Sequence, residues 1–542
     1  MTLEVPPGFR GVFRSDDLAR AVYSEAAGVA RILPAAVAVP ADADDVVTLV
    51  RWAAESRTPL VPRGSGSSMA NGALGEGVIV DVARLDQVDT ILSAGPTITV
   101  GAAVTRDQVQ HLVAPYGLSF PIDPSSSAFA TLGGMCATHA AGARSVKYGP
   151  LRNWVSGAEC VFADGSRAWV RRGAPVPDVA PVRRFDLEVA PRIRDADPAT
   201  LRHEGVRKES SGYGLDAWRT SGEPLDLILG SEGTLALIVA VELRLVPLQR
   251  STASLLAGFP DLEGAAAAAV RLAAHGASAV ELLDRSFLEI AASEGSPLPL
   301  PAGLEAVLVV EAEGGVDGDL NRQMKELAGW CEAGGATHIE LAMGTDDEIR
   351  LWELRHAASP ILNRLAPRLQ SMQLIEDGCV PPACFAQYVR GVREALARAR
   401  FRGVIFGHAG DAHAHVNALV DVTERDWRPR AERLIADVTA IVVRLGGTLA
   451  GEHGDGRLRT PLLARAWSTE TLDLFAAVKQ AFDPDGILNP GVKVPLPGAT
   501  PLDAIKYDHS LPPLPLPARE ALDMIVREKA WARHRLDLIS EV

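Results

Sequence analysis

Three stretches crowded with small residues constrain this chain most: PRGSGSSMANG at 62–72, TLGGMCATHAAGARSVKYGP at 131–150 and GSEGTLALI at 230–238. Each lies beside an apolar run that reads as a strand. Residues without bulky side chains let successive backbone N–H groups turn toward one point, which suits a phosphate or pyrophosphate. The first loop is not a Rossmann fingerprint. Gly64 and Gly66 fit, but Met69 stands at the third position and another turn follows instead of a helix. A Walker loop fails too, because no Gly-Lys-Ser/Thr follows. Three such loops in one region fit a long ligand approached closely by backbone, and a dinucleotide is the natural candidate.

The surrounding pattern is α+β. Residues 36–56 read as strand, proline break and helix, with Asp42 or Asp44 near the helix start. TPLVPRG, VIVDVARL and TITVGAAV follow as strands, and VSGAECVFADGSRAWV at 155–170 reads as a hairpin turning at Asp164-Gly165. From about 250 the texture changes to strand, helix, strand, twice over, which predicts an α/β sandwich as a second domain. WRPRAERLIADVTAIVVRL at 427–445 reads as an amphipathic helix ending at Gly446-Gly447. A proline-rich stretch after Pro495 predicts an extended strap followed by a charged helix.

HAGDAHAH at 408–415 is the second informative feature. If GVIFGH and HAHVNALV pair around Asp411-Ala412, His408 sits opposite His415, and alternation puts His408, His413 and His415 on one face. GEHGDGR adds Glu452 and His453 in a glycine-rich loop. Two imidazoles and a carboxylate suit zinc or another divalent metal with positions open for substrate. Solvated turn residues are the alternative.

Composition excludes several classes. With 47% hydrophobic and 23% charged residues and a net charge of −14, the chain is neither disordered nor a natural partner for nucleic acid. The opening MTLEVPPGFRGVF lacks an export pattern, and the Ala-rich stretch containing Arg271 is too short to span a bilayer, so the expected location is cytoplasmic. Five cysteines without CxxC spacing predict neither a disulfide framework nor an iron–sulfur site.

LVPRGSGSS, DPSSSAFATLGG, GSEGTLALI and FDPDGILNPG, in that order, resemble the flavin-binding segments of the vanillyl-alcohol oxidase-type FAD family, in its branch of D-lactate, glycolate and D-2-hydroxyglutarate dehydrogenases. GHAGDAHAHVN and GEHGDG are similar to the metal-binding segments of the same branch. The resemblance implies a two-part FAD-binding domain plus an α/β sandwich substrate (cap) domain. It places FAD binding in 1–250, the cap with the metal site in 251–470, a returning segment in 471–495, and tail and terminal helix in 496–542. FAD, non-covalent because Ser67 and Ser68 stand where covalent relatives have histidine, is then held by Pro62, Arg63, Gly64, Ser65, Gly66, Ser67 and Ser68. Pro124, Thr131, Gly133, Gly134, Thr138, Glu232, Ile238 and Asn489 complete the implied cofactor set.

By the same resemblance His408, His415 and Glu452 hold a divalent metal, zinc first, His453 is the base, and Arg355 pairs with the substrate carboxylate. His413, where that pattern has asparagine, is read in a neighbouring polar role, with an extra metal ligand as the alternative. Met135 and His139 occupy positions where the family has asparagine, and Ala141 replaces a glycine. The implied reaction oxidises a D-2-hydroxy acid to the 2-oxo acid by hydride transfer to the flavin N5. Ile375 falls where a D-2-hydroxyglutarate dehydrogenase has lysine, which favours a monocarboxylate. The acceptor is left open among quinone, cytochrome, electron-transfer and iron–sulfur protein or oxygen, and a homodimer is compatible. Two other readings are a non-redox flavoenzyme resembling alkyl-glycerone-phosphate synthase and a zinc hydrolase.

Overall fold

Short β-branched runs bounded by proline and glycine become the first strands. The computed structural model describes residues 3–89, 95–249, 251–293, 300–314, 317–356 and 368–539. Strands β1 (Val12–Arg14), β2 (Ala36–Val39), β3 (Leu60–Arg63) and β4 (Val78–Asp81) form a sheet in the order β1-β2-β4-β3. β2, β4 and β3 run parallel, and β1 pairs antiparallel with β2. The helix Ala43–Ser56 begins at Asp42, whose carboxylate accepts from the N–H groups of Asp44 and Asp45. That helix covers one face through Val46, Leu49, Val50 and Ala53.

A second, antiparallel sheet contains β5 (Thr97–Gly101), β6 (Val155–Val161), β7 (Arg167–Arg171) and β8 (Leu237–Arg244), ordered β5-β8-β6-β7. The hairpin read at Asp164-Gly165 is the β6–β7 pair, with Gly165 at φ +75°. Helix Thr469–Phe482 returns from far along the chain and buries Leu474, Phe475, Val478 and Phe482 in this core. Beyond it, Leu488 bridges Leu60 of β3.

The second half is one antiparallel sheet. It comprises β9 (Ser251–Phe259), β10 (Ala279–Asp284), β11 (Ala306–Gly314), β12 (His338–Ala342), β13 (Leu369–Met372), β14 (Gly378–Cys379), β15 (Arg402–His408) and β16 (His413–Asp421). The order is β12-β9-β11-β10-β15-β16-β13, with β14 on β16. Helices Leu262–Ala274, Asp317–Ala333, Phe385–Arg398 and Trp427–Arg444 pack against it around one apolar core. Gly446, at φ +70°, follows the last of these as read from the sequence. The two halves meet at Arg144, which donates to Asp123 at 2.7 Å and to both oxygens of Glu311 at 2.8 and 2.7 Å.

The histidine hairpin differs from the expected register. Phe406, not His408, pairs with His415. A 3-10 turn at Ala409–Asp411 and a left-handed Ala412, φ 55°, lengthen the connection. The shift is two residues, and because side chains alternate with period two, the face is preserved. Gly407 makes this possible at φ +154°, where an added Cβ would lie 2.5 Å from the His413 carbonyl oxygen. All five cysteines are free, four of them buried. Among the described residues no helix is long and apolar enough to cross a membrane.

Gly407→Ala should therefore destabilise the protein by about 2 kcal/mol or more through backbone strain and the carbonyl clash. Urea denaturation checks this, and an unchanged midpoint would mean that the hairpin can relax around a side chain.

Candidate functional site

The four segments singled out as cofactor-binding converge. An added Cβ on Gly64 would lie 2.2 Å from Thr131 Oγ1, and one on Gly233 would lie 2.2 Å from Pro62 Cγ. Thr131 caps the helix Leu132–Thr138 by accepting from Gly134 N–H, and Gly133 packs within contact of Ala102. Asn489 Nδ2 donates to the carbonyls of Gly72 at 3.1 Å and Glu232 at 2.8 Å. Ser68 Oγ is buried without a hydrogen-bond partner. Glycines that exclude a Cβ and an orphaned hydroxyl are what a backbone-lined phosphate cradle leaves when nothing else fills it. The residues present fit FAD.

Some members of the set face inward. Arg63 donates to the carbonyls of Tyr23 at 3.2 Å and Glu25 at 3.0 Å. Glu232 accepts from Asp455 N–H at 2.7 Å and Gly456 N–H at 3.0 Å, and Lys493 Nζ lies 3.1 Å away. Its carboxylate thus clamps the GEHGDG loop. Ile238 lies in β8, and Pro124 accepts from Ser127 N–H at 2.9 Å. His139, left-handed at φ 56°, donates Nδ1–H to the Glu209 carbonyl at 3.2 Å, while Nε2 is buried without a partner. Burial holds His139 well below the ordinary histidine range, so it is neutral.

The histidines and Glu452 form a second cluster. His408 Nδ1 donates to Glu281 Oε1 at 2.5 Å, and His415 Nδ1 donates to the Glu376 carbonyl at 2.9 Å. Those bonds direct both Nε2 atoms at one place. His408 Nε2 lies 3.1 Å and His415 Nε2 3.3 Å from Glu452 Oε1, and the two nitrogens are 3.4 Å apart. Two ring lone pairs and a carboxylate oxygen cannot share so small a volume without a proton or cation between them, and imidazoles whose other ring nitrogen is held by a carboxylate or a backbone carbonyl are usual metal ligands. The donor set fits a divalent cation, and although burial opposes it, Glu281 and Glu452 hold His408 up at about 9.

His413 Nε2 donates to Asp377 Oδ1 at 2.9 Å, and its Nδ1 is buried without a partner. Its ligand-capable nitrogen falls within the same group as His408, His415 and Glu452. His453 stacks on His415 with ring centroids 5.2 Å apart and planes 17° apart, and is the most exposed of the cluster at 27%. Its Nδ1 is 3.4 Å from Glu376 and 3.5 Å from Asp377, and although burial opposes it, Asp377 and Glu376 raise it to about 9.

Arg355 sits one carboxylate away from the histidines. Its Nε donates to Glu281 Oε2 at 2.6 Å, so it braces the Glu281–His408 pair.

Sequence reading missed Lys208, Glu281, Glu376 and Asp377. Lys208 Nζ donates to Glu452 Oε2 at 2.9 Å and to the Gly142 carbonyl at 3.1 Å, with Asp411 at 3.5 Å. Asp377 Oδ2 accepts from the backbone N–H of His453 at 2.8 Å and of Glu452 at 3.2 Å. The signal was present: acids inside the apolar runs AVELLD and MQLIEDGCV are costly unless paired. Lys208→Met keeps the stem and removes the ammonium, leaving buried Glu452 beside Asp411. The expected loss is about 3–5 kcal/mol, read from the urea midpoint; a loss under about 1 kcal/mol would show that Lys208 is dispensable for Glu452.

Comparison with known proteins adds two family matches. Residues 34–171 match the FAD binding domain, and residues 248–492 match the C-terminal domain of FAD linked oxidases. A D-lactate dehydrogenase from Archaeoglobus fulgidus is 30% identical over 461 residues, covering 84% of this chain and 90% of that protein. A glycolate oxidase subunit from Bacillus subtilis is 29% identical over 484 residues, covering 88% and 93%. Among solved structures, a 4-ethylphenol oxidase from Gulosibacter chungangensis aligns with TM-score 0.68 at 16% identity, covering 90% of this chain and 94% of that one. An alkyldihydroxyacetonephosphate synthase aligns with TM-score 0.59 at 14% identity, covering 88% and 82%.

Proposed function

This chain belongs to the FAD-linked oxidases, and from that premise we propose that it oxidises a D-2-hydroxy acid of lactate- or glycolate-like size to the 2-oxo acid. The convergence of His408 Nε2, His415 Nε2 and Glu452 Oε1 within 3.1–3.4 Å, beside His453, carries the reading. The names of the D-lactate dehydrogenase and glycolate oxidase relatives support the substrate class.

The four convergent segments would hold FAD, which when bound would supply the hydride-accepting chemistry for the substrate α-carbon. His408, His415 and Glu452 would hold a divalent cation, zinc first, which would supply Lewis acidity toward the substrate hydroxyl. His453 is the base for the hydroxyl proton. Asp377 and Glu376 fix its Nδ1 side, and the stack on His415 fixes its plane. A base must be neutral to accept a proton, and a cation beside His453 would offset the carboxylates that hold it at about 9. Arg355 supplies the counter-charge for the substrate carboxylate, which a guanidinium with five N–H donors can do while Nε stays on Glu281. Ile375 is buried beside Leu374 and offers no charge to a distal carboxylate, which favours a monocarboxylate or a larger apolar hydroxy acid. Electrons then pass to a separate protein, a quinone or oxygen.

The purified protein is expected to be yellow, and anaerobic D-lactate or glycolate should bleach the flavin; a colourless protein, or flavin that no 2-hydroxy acid reduces, would sink the proposal. His453→Ala should retain FAD and slow flavin reduction about 100-fold or more. Stopped-flow absorbance measures this, and unchanged reduction would remove His453 from the chemistry.

A further inference from the structure

The segment after Pro495 lies beyond both matched regions, 34–171 and 248–492, yet it is built into the sheet that carries the first glycine-rich loop. Helix Leu516–Glu528 and the turn Arg535–Leu538 bury Ala518, Leu522, Ile525, Leu536 and Leu538 against Val37 and Val39 of β2, Val61 of β3 and Ile79 of β4. Arg519 Nη1 reaches the buried carboxylate of Glu25 at 3.1 Å. Trp531 packs on Phe129 with ring centroids 6.4 Å apart, and Phe129 belongs to the second flavin segment, DPSSSAFATLGG. One strap therefore touches two of the loops assigned to the cofactor.

Its most unusual residue is Arg535, 2% exposed. The guanidinium lies over Trp531 at 5.1 Å, and Nη2 donates to the carbonyl of Ser65 inside the first loop at 3.3 Å. Nε and Nη1 are buried without hydrogen-bond partners. A second buried guanidinium stands nearby: Arg63 Nη2 would be 2.4 Å from a Cβ on Gly66, and Arg63 Nε is also unpartnered. Burial first, then Arg63, pushes Arg535 down to about 9. The nearby carboxylate, Asp81, accepts a 2.5 Å hydrogen bond from Tyr23 and lies 4.0 Å from His534 Nε2. Two buried cations that share one carboxylate leave positive charge and three donor nitrogens uncompensated at the loop. Ser68 Oγ, three residues beyond Ser65, is orphaned as well. An anion with several acceptor oxygens is the group such buried, unpartnered N–H and O–H donors call for.

We propose that Arg535 is a cofactor-binding residue, with the 496–539 strap joining the first two flavin loops and Arg535 pairing with a phosphate group of the bound dinucleotide. This rests on FAD as the cofactor. The competing role is mechanical, with Arg535 holding only the Ser65 carbonyl.

Full-length apoprotein, titrated with FAD by flavin fluorescence and with ADP as competitor, separates the two. ADP carries the phosphates without the flavin. In Arg535→Met, FAD and ADP should both bind about tenfold or more weakly, with the melting temperature of the apoprotein unchanged, and Arg535→Lys should recover part of the loss by restoring a point charge. Weakened FAD with unchanged ADP, unchanged affinity for both, or a lysine variant no better than methionine with a lowered apoprotein melting temperature would each overturn the inference. Wild-type apoprotein that takes up no FAD would remove the proposed function and this inference together, whereas wild-type uptake with unaltered variants removes the inference alone.

Discussion

Glu452 is a buried carboxylate with one oxygen on Lys208 and the other between two imidazoles. Lys208 comes from the first half of the chain, and His408 and His415 from the large antiparallel sheet. A carboxylate removed from water must be compensated by every group around it, so this one residue requires the two halves to be seated together. Asp377 then accepts the backbone N–H of Glu452 and His453, and Glu232 that of Asp455 and Gly456. The GEHGDG loop is thereby held by carboxylates from both sides, and its position follows from charge compensation more than from apolar packing.

Glycine serves a different purpose at the other end of the site. Gly64, Gly233 and Gly456 each lie where a Cβ would fall within about the radius of a neighbouring atom, at 2.2 Å from Thr131 Oγ1, 2.2 Å from Pro62 Cγ and 1.9 Å from the Ala70 carbonyl oxygen. Their small size brings distant loops into backbone contact, and Asn489 ties three of the four segments with one side-chain amide. The strap after Pro495 adds apolar contact on the outer face of the same sheet. Loops of this kind carry little core of their own, so the adjoining sheet and strap must supply their rigidity.

Much of this was legible in the chain itself. The hairpin at Asp164-Gly165, the Asp42 cap and the strand–helix–strand pairs after 250 follow from turn chemistry, capping and hydrophobic period, all of which act over a few residues. The common face of the three histidines survived a two-residue error in register, because alternation has period two and the error was even. The longer turn itself was not legible: Ala412 in the left-handed region carries no sequence mark, and Gly407 reads as one glycine among 49.

What the sequence by itself determined were the local elements and the residue types able to hold a dinucleotide and a cation. Tertiary structure alone decided that Arg355 braces His408 through Glu281, that Lys208 answers Glu452 across 244 residues, and that Arg535 arrives beside Ser65 across 470. The reason is physical. Period, caps and turns are set by neighbours in the chain, whereas the partner of a buried charge is set by whichever opposite charge the completed packing brings within hydrogen-bond distance.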